Sequence, residues 1–209
     1  MEGAEMNKHF TLIFVLFFSI CLAQSTSKSR QNYLNDYASD PQWQPDKVLA
    51  ALNIQKGWYI GDLGAGGGYY TYRFAEETGE TGKVFAADIN KDYLDGIQQG
   101  AIERGYKNID TVLCREDDSG FKEKSLDLIF IRNTFHHLQD RNNYMKKLVR
   151  KLKPNGRIVI IDYKKDARLF PGHNISKEDI ISAIKNTGLI IDEEYDFLKK
   201  QHFFILKQH

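Results

Sequence analysis

Trp58-Tyr59-Ile60-Gly61-Asp62-Leu63-Gly64-Ala65-Gly66-Gly67-Gly68 is a short apolar run, an acid and a cluster of glycines, and a helix-like segment follows over residues 69–77. A strand that runs through a glycine-rich turn into a helix is the opening unit of an alternating α/β chain. The glycines allow a tight turn and let a ligand approach the main chain closely. In an open parallel sheet, ligands sit beyond the carboxyl ends of the strands, where the strand order reverses, and the first strand is the usual place for that switch. Gly64, Ala65 and Gly66, with Asp62 beneath them, are therefore the first candidate binding residues.

Working outward, the alternation continues. Residues 83–87 (KVFAA) read as a strand, 91–103 as a helix, 109–113 as a strand and 126–131 (LDLIFI) as a buried strand. An amphipathic helix spans 144–152, is closed by Lys153-Pro154-Asn155-Gly156, and precedes a strand over 157–161 (RIVII). This repetition implies a parallel sheet covered on both faces. The tail departs from it. A helix over 176–187 opens with a capping box, Ser176 with Asp179, and Gly188 ends it. Two strand-like runs, 189–195 and 202–206, follow with a short connection, so one of them must run antiparallel to its neighbour. The fold class is thus α/β: a doubly wound, seven-stranded sheet, mostly parallel, with an antiparallel hairpin at its C-terminal edge. Upstream, residues 46–52 (DKVLAAL) read as a short helix with Asp46 as its N-cap, and 24–45 as a polar lead-in.

Asp88 ends the second strand, at the distance from the glycine loop of an acid that holds ribose hydroxyls. A carboxylate accepts hydrogen bonds from two adjacent hydroxyls, although a helix cap is the alternative reading. The dinucleotide fingerprint G-x-G-x-x-G is not met: counted from Gly64 its last position falls on Tyr69, and counted from Gly66 on Thr71. Asp62 suits a ligand with an ammonium group and no pyrophosphate.

These residues together resemble class I S-adenosylmethionine (SAM)-dependent methyltransferases, with their Rossmann-like sheet. Asp62 to Gly68 resembles the first motif of that family, and Asp88 its ribose acid. Asn133-Thr134-Phe135-His136-His137-Leu138 is similar to the segment after its fourth strand, and Leu152-Lys153-Pro154-Asn155-Gly156-Arg157 to the turn into its fifth. The resemblance covers residues 43–206. It implies SAM as cofactor, held by Asp62, Gly64, Ala65, Gly66, Asp88 and Asn133, with Ile89 against the adenine and Asp117, or alternatively Glu116, taking the adenine amino group. Trp43, Gln44 and Pro45 fall where relatives fold a lead-in over the cofactor, and a hydrophobic staple explains Trp43 equally well.

Methyl transfer from a sulfonium depends mainly on aligning the nucleophile, and needs a base only when the acceptor arrives protonated. His136, His137 and Asp162 are the catalytic candidates, near Asn133 and Tyr163, with packing as the alternative role for one histidine. His173 lies in a Pro-Gly loop that suits a lid. The six histidines show no ligand spacing, so no metal is expected. Cys114 falls beside a strand and reads as packing. The expected acceptor is a small molecule or lipid. A nucleotide-dependent oxidoreductase and a non-catalytic SAM-binding domain are the alternatives.

Composition bounds the rest. The 209 residues suit one domain with a sizeable core, and 29 Lys and Arg against 28 Asp and Glu argue against a nucleic-acid partner. Residues 10–23, FTLIFVLFFSICLA, follow Lys8 and His9 and precede the polar QSTSKSRQN. These are the parts of a signal peptide, with cleavage after Ala23 and an exported mature chain. An uncleaved membrane anchor over residues 10–23 is the alternative, though the run is shorter than the ~20 residues a spanning helix needs. The chain therefore reads as a signal over 1–23, a lead-in over 24–45 and a catalytic domain over 46–209. Removal of Cys21 with the signal would leave Cys114 as the one cysteine.

Overall fold

The computed structural model describes residue 26, residues 28–165 and residues 172–209. The apolar run 10–23, read above as a signal, lies outside the described residues. Among the described residues, no helix is long and apolar enough to cross a membrane.

The chain opens with helix α1 over residues 28–39, a 3-10 turn at Pro41–Trp43 and helix α2 at Pro45–Leu52. Strands and helices then alternate: β1 Tyr59–Leu63, α3 Tyr69–Thr78, β2 Lys83–Asp88, α4 Lys91–Arg104, β3 Ile109–Leu113 and β4 Leu126–Arg132. A 3-10 turn at Phe135–His137, α5 Arg141–Lys151 and β5 Leu152–Tyr163 come next, then α6 Lys177–Ile184, β6 Leu189–Tyr195 and β7 Gln201–Gln208. The seven strands form one sheet in the order β3-β2-β1-β4-β5-β7-β6. Strands β1 to β5 pair in parallel, and β7 runs antiparallel to both β5 and β6. The expected sheet is present, with β7 inserted inside the edge and β6 outermost.

Side-chain alternation along the strands divides the core in two. Leu63, Ile129, Ile131, Ile158 and Ile160 face one side, against Tyr144, Met145 and Leu148 of α5 and Ile180 of α6. Ile60, Leu128, Phe130, Val159 and Ile161 face the other, against Val48 of α2, Tyr70 and Phe74 of α3 and Ile97 of α4. Such central strands, apolar on both faces, are what a doubly covered parallel sheet requires. The position parity then decides which face each strand-end residue joins. Asp62 and Arg132 continue the α3 face, Asp162 continues the α5–α6 face, and Tyr163 points back to the α3 side.

Three local readings change. Residues 24–45 are not simply a polar lead-in, since they carry α1. Asp46 is not the N-cap of α2. Pro45 is its first residue and Gln44 the cap, in the left-handed region at φ 47°, while Asp46 lies in the first turn and pairs with Arg73 at 3.0 Å. Strand β5 begins at Leu152, so the Lys153–Gly156 turn is a bend within it, with Asn155 at φ 67° and an irregular register between Leu126 and Leu128. The capping box of α6 is formed in both directions by Ser176 and Asp179. Those bonds, with Lys165 nearby, hold the Asp179 carboxyl well below the usual carboxylate range.

Candidate active site

The loop after β1 is held from three sides. Gly64 and Ala65 both donate their amides to the carbonyl of Ala87 on β2, at 2.8 and 3.1 Å. The Gly66 amide donates to Asp88 Oδ2 at 2.9 Å. Gly64 has φ 78°, and a Cβ there would lie 2.1 Å from Thr134 Oγ1. A Cβ on Gly67 would lie 2.4 Å from Asn35 Oδ1 of α1. The glycines thus serve close packing against α1 and the β4 loop as well as the turn itself. The other oxygen of Asp88 accepts the Asn90 amide at 2.9 Å, and Asn90 is the side-chain cap of α4. Asp88 is therefore not that cap, and its two oxygens keep acceptor capacity beyond these two bonds.

Leu34, Asn35, Tyr37 and Ala38 of α1 cover a cleft of about 560 Å³, counting its open mouth. Its other walls are Asp62, the residues from Gly64 to Gly67, Tyr69, Tyr70, Phe130 and the run from Arg132 to Thr134. Asp62 is buried, and its Oδ2 accepts a 2.6 Å bond from the Thr71 hydroxyl. Burial pushes its carboxyl up to about 7, with Asp88 adding to the rise and Thr71 and Arg132 opposing it. Arg132 ends β4 and stacks over the Tyr70 ring at 5.4 Å. Among the described residues, Arg132 Nη2, the Tyr70 hydroxyl and Asn35 Oδ1 are buried and have no hydrogen-bond partner. Buried polar atoms are nearly always satisfied, so three orphans around one cleft indicate groups kept for a ligand.

A chain of side-chain bonds ties α1 to the sheet beside the cleft. Buried Gln201 donates to Asn133 Oδ1 at 2.6 Å, Asn133 Nδ2 donates to the Tyr163 hydroxyl at 2.9 Å, and Tyr163 donates to the Tyr37 hydroxyl at 2.8 Å. Burial raises the proton affinity of Tyr163, and the bond to Tyr37 raises it further. Asn133 holds φ 52°, which aims its amide along this chain. Trp43 is buried, with its ring 5.2 Å from that of Tyr37 and 5.9 Å from that of Tyr163. It packs α1 onto β5.

On the opposite face, fully buried Asp162 accepts three bonds. They come from the His136 amide at 2.9 Å, the Tyr163 amide at 2.8 Å and the His136 ring at Nδ1, 2.7 Å away. With Nδ1–H given to Asp162, His136 Nε2 carries the lone pair and faces the His173 ring. It lies 3.1 Å from His173 Nδ1, and the His136 and His137 rings are 4.0 Å apart. Burial, then the neighbouring imidazoles of His136 and His173, lower the proton affinity of His137. The linear spacing of the histidines predicted no metal group, yet the fold gathers three of them. Their separation in sequence, residues 136 and 137 against 173, hid the cluster. A nitrogen oriented in this way can take a proton or coordinate a Lewis acid.

Other expected residues lie elsewhere. Ile89 is 62% exposed. Asp117 is exposed and paired with Arg115 at 3.2 Å and Lys147 at 3.4 Å, which lower its pKa. Cys114 is buried in the core, and burial pushes its thiol up to about 11, far from a nucleophile. Arg132 went unread although it carries a signal: a guanidinium closing the apolar run Leu128–Ile131 of a central strand.

Residues 54–202 match the family model described as "Methyltransferase domain". The chain is 31% identical over 130 residues to the ubiquinone/menaquinone biosynthesis C-methyltransferase UbiE of Pseudoalteromonas translucida, covering 62% of this chain and 50% of that protein. The chain thus spans about half the length of the curated relatives it matches. A SAM dependent methyltransferase from Aquifex aeolicus superposes with TM-score 0.79 at 24% identity, over 87% of this chain and 98% of that one. The [4+2]-cyclase SpnF superposes with TM-score 0.65 at 12% identity, over 78% and 80%. These structural likenesses establish the fold.

The packing of the loop is testable by glycine replacement. Gly64 and Gly105 share a similar backbone, φ 78° and 76°, but a Cβ on Gly105 meets nothing within 4 Å. Gly105→Ala should cost about 1–2 kcal/mol of stability from backbone strain alone. Gly64→Ala should cost about 1–3 kcal/mol more from overpacking, partly recovered by adding Thr134→Ala. Equal midpoints for the two single variants in urea unfolding would show that Thr134 does not bear on the loop.

Proposed function

The chain belongs to the methyltransferase-domain family, and from that premise we propose that it transfers a methyl group from SAM to a small-molecule or lipid acceptor. One observation carries the reading. The floor of the cleft sets a buried acid, Asp62, beside the orphaned guanidinium of Arg132, on the same face of neighbouring strands. That pairing complements an amino-acid zwitterion: Asp62 for the ammonium and Arg132 for the carboxylate. A pyrophosphate would meet Asp62 instead, so the pairing opposes a dinucleotide. Asp88 serves the ribose hydroxyls with its remaining acceptor sites. SAM, when bound, supplies a methyl group made electrophilic by its sulfonium.

The chain's own residues then do little covalent work. α1, held by Tyr37 and Trp43, covers the cleft and excludes water, and the Gly64–Gly67 backbone fixes the ligand's position. Alignment of this kind is the main source of rate in a bimolecular displacement. Because the curated relative is named for quinone biosynthesis, the acceptor to try first is a hydroquinone with a short apolar tail. We further infer from residues 10–23 that the chain is exported and loses its first 23 residues. The N-terminus of the protein isolated from the cells that make it should be Gln24, and an N-terminus upstream of residue 10 would overturn this.

Calorimetry on the full chain tests the cofactor. SAM and S-adenosylhomocysteine should bind in the micromolar range, about −8 kcal/mol. Asp88→Ala should weaken both, and NADH should not bind. A folded chain that binds no SAM would refute the reading. The pH dependence is specific too. If Asp62 must be ionised to hold the ammonium, a pKa of about 7 makes SAM affinity rise with pH. Between pH 6 and 7, below the titration of the α-ammonium itself, the rise should be roughly fivefold. Asp62→Asn should bind more weakly with a flat profile, whereas an unchanged slope would place the titrating group elsewhere.

A further inference from the structure

The three imidazoles of His136, His137 and His173 come from two segments, the 3-10 turn after β4 and the loop before α6. Each offers one ring nitrogen, and the three atoms lie within 4.8 Å of one another. A hydrogen bond between His136 Nε2 and His173 Nδ1 would account for two of these rings. It leaves His137, whose ring has no hydrogen-bond partner among the described residues and still packs 4.0 Å from His136 and 5.1 Å from His173. We propose that the three nitrogens form a binding site for a zinc-class divalent metal ion.

Three features of the geometry support it. First, zinc takes imidazole nitrogens at about 2.0–2.1 Å in a tetrahedron, which puts neighbouring nitrogens about 3.3–3.4 Å apart. His136 Nε2 and His173 Nδ1 already stand at 3.1 Å. Second, Asp162 is a built outer shell. It is fully buried, anchored by two backbone amides, and bonded to the far nitrogen of His136. A carboxylate behind a ligating histidine fixes the tautomer and raises the basicity of the nitrogen that meets the metal. Third, the donor set selects the ion. Imidazoles suit zinc, copper, nickel and iron, whereas magnesium and calcium take oxygen ligands.

His137 and His173 are exposed, so the fourth position of the tetrahedron opens outward. His136 and His137 also line a cavity of about 900 Å³, counting its open mouth, against Asp140, Arg141, Asn142 and Asp179. Three histidines with an open fourth position is the arrangement of catalytic rather than structural zinc. The position suits an oxygen ligand, either water or an anionic oxygen of an acceptor. A bound ion would occupy His136 Nε2 and remove it from proton transfer.

The test uses the untagged full chain, stripped with a chelator. Zn²⁺ is titrated in competition with a chromophoric chelator, and Co²⁺ is followed by its visible spectrum. One equivalent should bind with sub-micromolar affinity, and cobalt should show tetrahedral absorption. His137→Ala and His173→Ala should each weaken binding about 100-fold or more and abolish that spectrum, and Asp162→Asn should weaken it about 10–100-fold. His209→Ala, far along the chain, should change nothing. SAM calorimetry on the same proteins reports folding independently of the metal. Variants that bind SAM but lose zinc support the site. Wild-type protein that binds SAM but holds zinc no more tightly than His173→Ala overturns it. A chain that binds zinc as described but no SAM would refute the methyltransferase reading and leave the metal site standing.

Discussion

Strand β1 lies where the order of the sheet reverses, with β2 on one side and β4 on the other. The chain leaving β1 enters α3, while the chain leaving β4 turns toward the opposite face. Two connections that part in this way leave a crevice between them, and nothing in the sheet can fill it. Everything at the site follows from that constraint. The loop after β1 must be thin enough for Thr134 to pass at Gly64 and for α1 to lie on Gly67. The last residues of β1 and β4 face the crevice because the strands are parallel and in register, Asp62 opposite Phe130 and Arg132 two places on. Parity puts both charges on one face.

The charges at the floor of the crevice run against stability. An acid as buried as Asp62 loses its hydration, which raises its pKa. The Thr71 hydroxyl offsets part of it and the positive charge of Arg132 a little more, while Nη2 of Arg132 keeps no hydrogen-bond partner. A hydrophobic pair in these positions would pack with less strain on the folded state. A strand end that keeps an elevated acid and an unsatisfied base side by side is arranged for a ligand carrying both complementary groups.

The fold was largely legible because its signals are local. Alternating apolar runs and helices announce a parallel sheet, and the two closing strands with their short connection announce the reversal at its edge. Ser176 and Asp179 announce a helix start three residues apart. The parts that escaped are those without local signals. α1 sets buried Gln31 on α4 and half-buried Asn35 on the glycine loop, between Leu34 and Ala38, so its inward face is mixed and its 3.6-residue apolar period is weak. The trio of histidines depends on a loop 36 residues downstream of His137 being folded back over the end of β4. Asp117, one of two acids the resemblance offers for a nucleoside contact, is paired with its basic neighbours Arg115 and Lys147. Short-range chemistry of that kind is invisible to a motif counted from a strand end.

The last two residues of β5 join the two halves of the site. Asp162 faces the α5–α6 side and fixes His136, and Tyr163 faces the α3 side and fixes α1 through Tyr37. They are also bonded to each other, since the Tyr163 amide donates to Asp162. Successive residues of a strand point to opposite faces, so one short stretch can hold the cover over the cleft and the histidines beneath the neighbouring loop at a fixed spacing. Asn133, bonded to Tyr163 and to buried Gln201, extends the same support to the loop after β4. The cleft and the histidine trio therefore share one rigid backbone element. A group held by His136 keeps its distance from a ligand on the glycine loop without any domain closure, which is the condition an alignment-driven transfer requires.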